Sequence, residues 1–176
     1  MKLATITFAF LVATAMLSGC GGGGSSSSSS PETTSEGVTK ALNTGVIPTL
    51  DAGTGLSIND ADSNGVRDDV DALIKRKYTV ATDINAATQL AKALQMAVSA
   101  SSPAPADVPT IATATTQAVD CATAQMGPAR AADMIDEVRA ATVNTKDRLM
   151  AYRETQAALS GQHAVITEDD PKTFCK

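Results

Sequence analysis

Apolar residues between positions 66 and 159 recur every three or four residues, which is the spacing of helices that each turn one face towards a core. The segments between the stripes contain helix breakers, namely Ser101 to Pro105 and Gly127-Pro128. The third stripe is rich in Ala and Thr, and Thr is a poor helix former. The stripes are Val66, Val70, Leu73, Ile74 and Tyr78; Ile84, Ala87, Leu90, Ala91, Leu94, Ala97 and Val98; Ile111 to Met126; Met134, Ile135, Val138 and Ala141; and Leu149, Tyr152 and Leu159.

Capping residues mark several ends of these predicted helices. Thr82 can cap the second helix, and Asn144 or Thr145 can cap the fifth. Gly127 ends the third helix and Gly161 ends the fifth. The pattern predicts an all-α fold, a small array of about five helices whose alanine-rich faces pack closely. An acidic loop and a disordered N-terminal tether are expected to precede this array.

The first twenty residues combine a positive start, a short apolar stretch and small residues before a cysteine. Lys2 supplies a positive start, and the apolar stretch 3–17 is too short for an ordinary membrane span. The run Leu17-Ser-Gly-Cys20 resembles a bacterial lipobox. This resemblance implies a signal peptide over residues 1–19, cleavage before Cys20 and lipidation of Cys20. An ordinary secretory signal or a membrane helix is the alternative. Gly21, rather than Asp, implies the outer membrane of a Gram-negative bacterium and leaves open which face is occupied.

The next segment has no apolar residues to bury. Residues 21–30 read GGGGSSSSSS and are followed by Pro-Glu-Thr-Thr-Ser-Glu. Such a composition predicts a flexible tether, here residues 20–45 with the lipidated cysteine at its start. Residues 46–176 then form one domain, since their number is enough for one modest core and not for two.

Oxygen-bearing side chains alternate through residues 60–71 (DADSNGVRDDVD), with a glycine at the sixth position. This is the spacing of an EF-hand-type calcium loop, in which six to eight oxygens surround one hard cation. Gly65 allows the sharp turn, and Val66 would offer its carbonyl oxygen. The predicted metal ligands are Asp60, Asp62, Asn64, Val66, Asp68 and Asp71.

The loop departs from the EF-hand consensus in two ways. Asp71 stands where glutamate is usual, so its side chain is shorter by one methylene. The segment 45–55 before the loop contains too much glycine and proline for a full entering helix. The loop therefore resembles the single loops of dockerins and thrombospondin type 3 repeats. The alternative is an acidic turn in which Asp68 and Asp69 stabilise the start of a helix.

Charge and composition argue against two classes of partner. The chain has 14 Lys and Arg residues against 19 Asp and Glu, a net charge of -5, and its positive residues are scattered. Nucleic acid is therefore not expected as a partner. With no Trp and few aromatic residues, the chain also offers little for a sugar-stacking platform.

Two cysteines remain after lipidation of Cys20. In an oxidising periplasm, Cys121 and Cys175 are predicted to pair and to close a loop of about 55 residues. The competing interpretation is a nucleophilic cysteine with His163, the only histidine, as its base. The acidic run 168–170 lacks alternating spacing and a turn glycine, so it is interpreted as a solvated loop.

The segments DADSNGVRDDVDALI and NTKDRLMAY, together with the terminal cysteine, resemble a group of uncharacterised proteobacterial secreted or lipoprotein-like proteins. This resemblance implies no particular activity. The sequence therefore predicts a lipid-anchored envelope protein with one structural calcium site, acting as a binding or structural module. An envelope inhibitor or immunity-type lipoprotein that binds one protein partner is the alternative, and an enzyme is not expected.

Overall fold

The computed structural model describes residues 34–44, 48–100, 103–104, 106–161 and 175. Within them the chain is helical and has no strand, which confirms the predicted all-α array. No helix in these ranges is both long and apolar enough to cross a membrane. The helices are α1 (Thr34–Asn43), α2 (Asp68–Lys77), α3 (Ala81–Ser99), α4 (Val108–Met126), α5 (Pro128–Thr142) and α6 (Lys146–Leu159).

Helix α3 lies at the centre of the array and packs against α2, α4, α5 and α6. Its buried face contains five alanines, whose small side chains let the neighbouring helices approach closely. Most of the predicted stripes lie in this core. The buried apolar residues of the main cluster are Val66, Val70, Leu73, Ile74, Ala86, Ala87, Leu90, Ala91, Ala93, Leu94, Ala118, Cys121, Ala122, Ala131, Met134, Val138 and Ala141.

Helix α6 departs from the predicted stripe. Leu149 was expected in the core, yet 45% of it is exposed. The residues that α6 buries are Arg148, Ala151 and Thr155. The hydroxyl of Thr155 donates a hydrogen bond to the carbonyl oxygen of Ala97 in α3, at 2.7 Å. The inner face of α6 is thus partly polar, and it is joined to α3 by a hydrogen bond as well as by packing.

The predicted helix ends are correct at α6 and wrong at α3. Thr145 is the N-cap of α6, and its hydroxyl oxygen accepts the N–H of Arg148 at 3.4 Å. Helix α3 begins at Ala81, so Thr82 lies inside its first turn and does not cap it. Gly127, at φ 79° and ψ 161°, separates α4 from α5, and Pro128 starts α5 at once. Proline suits that first position because no helical hydrogen bond needs its missing N–H.

The structure also differs from the prediction of a continuous disordered tether over residues 20–45. Residues 34–43 form α1, in which no residue is buried. Glu36 lies in its first turn and Lys40 in its last, so both charges favour the helix dipole. Val38 and Leu42, one turn apart, are exposed. The predicted signal peptide, Cys20 and the Gly/Ser run lie outside the described residues.

The disulfide predicted from the sequence is present between α4 and the C-terminal end. The sulfur atoms of Cys121 and Cys175 lie 2.10 Å apart, and 54 positions separate the two residues in sequence. Cys121 is fully buried in the core. The other predictions for this end, which concern His163 and the acidic run 168–170, fall outside the described residues.

Candidate metal centre

The predicted calcium loop is a tight turn organised around Asp60. One carboxylate oxygen of Asp60 accepts the N–H of Asn64 at 3.0 Å, and the other accepts the N–H of Gly65 at 2.8 Å. Gly65 has φ +85°, a conformation that side chains disfavour, and a Cβ there would lie 2.7 Å from Cε of Lys92. Ser63 is also left-handed, at φ 57°. The sequence Asn64-Gly65 thus fits the turn that the loop needs.

Asp68 closes the loop at the start of α2. Its carboxylate accepts the N–H of Ala61 at 3.0 Å, and its own N–H donates to the carbonyl oxygen of Asn59 at 2.8 Å. These two hydrogen bonds run in opposite directions between the beginning of the loop and the beginning of the helix. They hold Asp68 beside Asp60, although the two are eight positions apart in sequence.

Three of the predicted ligands converge. Carboxylate oxygens of Asp60, Asp62 and Asp68 all lie within 4.8 Å of one another. Two oxygens that bind the same calcium ion at roughly 2.3 to 2.6 Å can be at most about 5 Å apart, so this spacing fits one shared ion. Three carboxylates held this close also repel one another, and a divalent cation would relieve that repulsion. The donor set is oxygen only, as hard cations prefer.

Asn64 and Val66 are engaged within the loop. The amide nitrogen of Asn64 donates to Asp62 at 3.1 Å, and the amide oxygen of Asn64 accepts the N–H of Val66 at 2.7 Å. The side chain of Val66 is only 1% exposed. Val66 therefore anchors the loop in the core, while Asn64 lies next to the carboxylates and stabilises the turn.

The structure does not bring Asp71 into this group. Its carboxylate forms an ion pair with Lys75, one turn further along α2. The side chain of Asp71 is 12% exposed, whereas that of Lys75 is 61% exposed. The predicted closing ligand is therefore paired with a lysine. The side chain of Asp71 is one methylene shorter than the glutamate of the EF-hand consensus, which is consistent with its absence from the group of converging carboxylates.

The electrostatic environment favours the charged form of Asp60. Burial of Asp60 opposes its ionisation, but hydrogen bonds from the N–H groups of Gly65 and Asn64 outweigh burial and lower its pKa. The pKa of Lys75 is raised, first by its hydrogen bond to Asp71 and then by the charge of Asp71; Asp62 and Asp68 add to this. The nearby carboxylates thus favour the charged ammonium form of Lys75.

Arg67 lies inside the loop sequence, and sequence reasoning missed its role. It is 1% exposed, and its guanidinium donates to both carboxylate oxygens of Asp69, at 2.6 and 2.9 Å. It also donates to the carbonyl oxygens of Ala141 and Thr142, at 3.1 and 3.3 Å. Those carbonyls belong to the last turn of α5, where a positive charge is favourable. Arg67 therefore fixes the loop to the end of α5.

A second buried arginine continues this network. Asp69 accepts the N–H of Asp51 at 2.6 Å, and the Asp51 carboxylate accepts a hydrogen bond from Arg148 at 2.7 Å. Arg148 also donates to the carbonyl oxygen of Asp51 at 2.7 Å and to Asn144 at 2.9 Å. The segment before the loop is thereby held against α6. No signal in a single sequence distinguishes a buried arginine of this kind from a solvated one.

No family model, no curated protein and no solved structure matches this chain. The residues themselves are therefore the guide to function, above all the converging carboxylates of Asp60, Asp62 and Asp68.

Proposed function

We propose that this is a lipid-anchored cell-envelope protein with one structural calcium site, acting as a binding or structural module. The observation that supports the calcium site is the convergence of three carboxylates in a loop whose turn residues match the metal-loop spacing. The lipobox-like run before Cys20 supports the lipid anchor. The proposed partners are a membrane, through the anchor, and an envelope protein; nucleic acid is not among them. No catalytic role is part of the proposal.

We infer a structural ion rather than a signalling ion. Val66 and Arg67, both 1% exposed, tie the loop to the core and to α5. A sensor loop, by contrast, must permit its helices to move apart. A site outside the cytoplasm can also remain filled at a dissociation constant of about 0.1 to 1 mM. A weak site that stabilises one fold is thus sufficient for the proposed role.

Calcium is expected to raise the melting temperature of the protein. At a calcium concentration of about ten times the dissociation constant, linkage contributes about 1.4 kcal/mol to the free energy of unfolding. For a domain of this size that is a rise of about 4 to 7 °C. Thermal unfolding with calcium, with magnesium and with a chelator measures this rise. The double variant Asp60→Asn with Asp62→Asn should lose it.

Asparagine is preferred to alanine in this test because its amide oxygen can still accept one of the two N–H groups, of Asn64 or of Gly65, that the Asp60 carboxylate accepts. The matched control is Asp133→Asn with Asp136→Asn, which removes two acidic charges from α5. The control should keep the full calcium-dependent rise. If wild-type protein showed no rise and calorimetry showed no heat of calcium binding, the loop would be only a helix-capping turn.

The lipid anchor is tested separately through Cys20. Cys20→Ala is expected to move the protein from the membrane fraction to the soluble fraction and to abolish incorporation of labelled palmitate, because acylation needs the thiol. Ser18→Ala, which keeps a small residue two positions earlier, should leave the protein in the membrane. Separation of inner and outer membranes then tests the proposed outer-membrane location. Unchanged membrane association of Cys20→Ala would contradict the lipoprotein assignment.

A further inference from the structure

The ion pair between Asp71 and Lys75 connects the metal loop to α2. Asp71 occupies the twelfth position of the loop sequence, where a calcium loop places its closing ligand. In the structure this carboxylate is bonded to the Lys75 ammonium group, and only 12% of the Asp71 side chain is exposed. The carboxylate that the loop spacing assigns to the ion is therefore already neutralised by a cation of the chain.

The position of Lys75 relates it to the whole carboxylate group. Asp68 and Asp71 are three residues apart on α2 and so lie on the same side of that helix. The negative charges of Asp62 and Asp68 also act on the ammonium group of Lys75. Lys75 is thus paired with Asp71, one turn along α2 from Asp68, and it is attracted by two of the three carboxylates that converge.

We propose that Lys75 is an internal competitor for calcium, an affinity-determining residue that holds the closing carboxylate of Asp71 away from the metal. This inference rests on the proposed calcium site. An oxygen of Asp71 that binds calcium must give up its hydrogen bond to Lys75, and the freed ammonium group then repels the ion. Both effects weaken binding. The exposed stem of Lys75 lets the ammonium group move into solvent when calcium enters.

The expected consequence is a site with low affinity for calcium. Ligand charge and number set the affinity of calcium loops over several orders of magnitude. Asp71 paired with Lys75 contributes less to the site than an unpaired carboxylate would. A chain exposed to millimolar calcium needs no more, whereas the same loop without Lys75 would bind calcium more tightly.

Calorimetric titration with calcium of the full chain, of Lys75→Gln and of Arg76→Gln tests this proposal. Both variants remove one positive charge from the last turn of α2, but only Lys75 is paired with Asp71. Lys75→Gln is expected to lower the dissociation constant about tenfold, because it removes a nearby charge and frees a carboxylate ligand. Arg76→Gln should change it by less than about threefold, as expected for a more distant screened charge.

A second pair of variants isolates Asp71. In an Asp71→Asn background, Lys75→Gln should lose most of its effect, because no closing carboxylate remains to be freed. Equal dissociation constants for Lys75→Gln and Arg76→Gln would overturn the competitor role while leaving the calcium site intact. Absence of calcium binding in every variant would instead overturn the proposed function itself. Melting temperatures in chelator verify that each variant is folded at the titration temperature.

Discussion

Replacement of Cys175 by alanine is expected to lower the free energy of unfolding by about 4 kcal/mol, the largest single effect predicted for this chain. The disulfide joins residues that are 54 positions apart, so it restricts a long loop in the unfolded state. Its other sulfur belongs to Cys121, which is fully buried in α4. Cys175→Ala keeps that core sulfur as a thiol, so it reports the loss of the bond without a new cavity at Cys121.

Denaturant unfolding at 25 °C measures this loss, and thermal unfolding should show a fall of about 12 to 20 °C. Wild-type protein treated with a reductant should resemble the variant. All samples of the variant need reductant, since its free Cys121 could otherwise join two chains after unfolding. A loss below about 1 kcal/mol would mean that the loop is already restricted when unfolded or that the bond is strained when folded.

The disulfide also bears on the proposed location of the protein. Disulfides of this kind persist in oxidising compartments such as the periplasm and are rare in the cytosol. The pairing of Cys121 with Cys175 is therefore consistent with the export that the lipobox-like run implies. The two observations are independent, because one concerns the core of the helical array and the other concerns the first twenty residues.

The helices could be predicted from the sequence wherever apolar spacing determines burial. Val70, Ile74, Leu90 and Met134 were assigned to the core by periodicity, and each is at most 1% exposed. The same reasoning failed on α6, where it placed Leu149 inside and overlooked Arg148. Periodicity counts apolar residues, whereas the inner face of α6 carries a guanidinium that donates to Asp51, 97 positions earlier in the chain. The sequence around Arg148 does not reveal a hydrogen-bond partner that is so distant in the chain.

The candidate site was predictable to a similar extent. The alternation of Asp60 and Asp62 with Asn64-Gly65 indicated the turn, because side-chain spacing and a left-handed glycine are local properties. The engagement of Asp71 with Lys75 was not foreseen, although the two are four residues apart on one helix, a spacing that favours an ion pair.

The second large effect is expected at Arg148, where replacement by methionine should lower the free energy of unfolding by about 2 kcal/mol. Arg148 is 1% exposed and donates to two neutral oxygens, the carbonyl of Asp51 and the amide of Asn144. Hydrogen bonds from a charged group contribute roughly 1.5 to 3 kcal/mol each. Its buried Nε has no hydrogen-bond partner, so removal of the guanidinium also relieves a desolvation penalty that offsets part of the loss.

The ion pair between Arg148 and the Asp51 carboxylate receives no share of this figure, since the Asp51 side chain is 46% exposed and water screens it. Methionine fills the space of the arginine stem, so the loss measures the guanidinium rather than a cavity. Arg153→Met on the exposed side of α6 is the matched control and should change stability by less than about 0.5 kcal/mol.

Hydrogen exchange identifies where Arg148→Met acts. Arg148 holds the carbonyl oxygen of Asp51, and Asp51 in turn donates its N–H to Asp69. Release of this segment should therefore speed exchange at the amides of Asp51 and Gly53, while Arg67 continues to hold the loop against α5. If exchange were faster only in the core of α3, the arginine would act through packing of the helical array. Faster exchange at Asp51 and Gly53 alone would show that its hydrogen bonds fasten the segment preceding the metal loop.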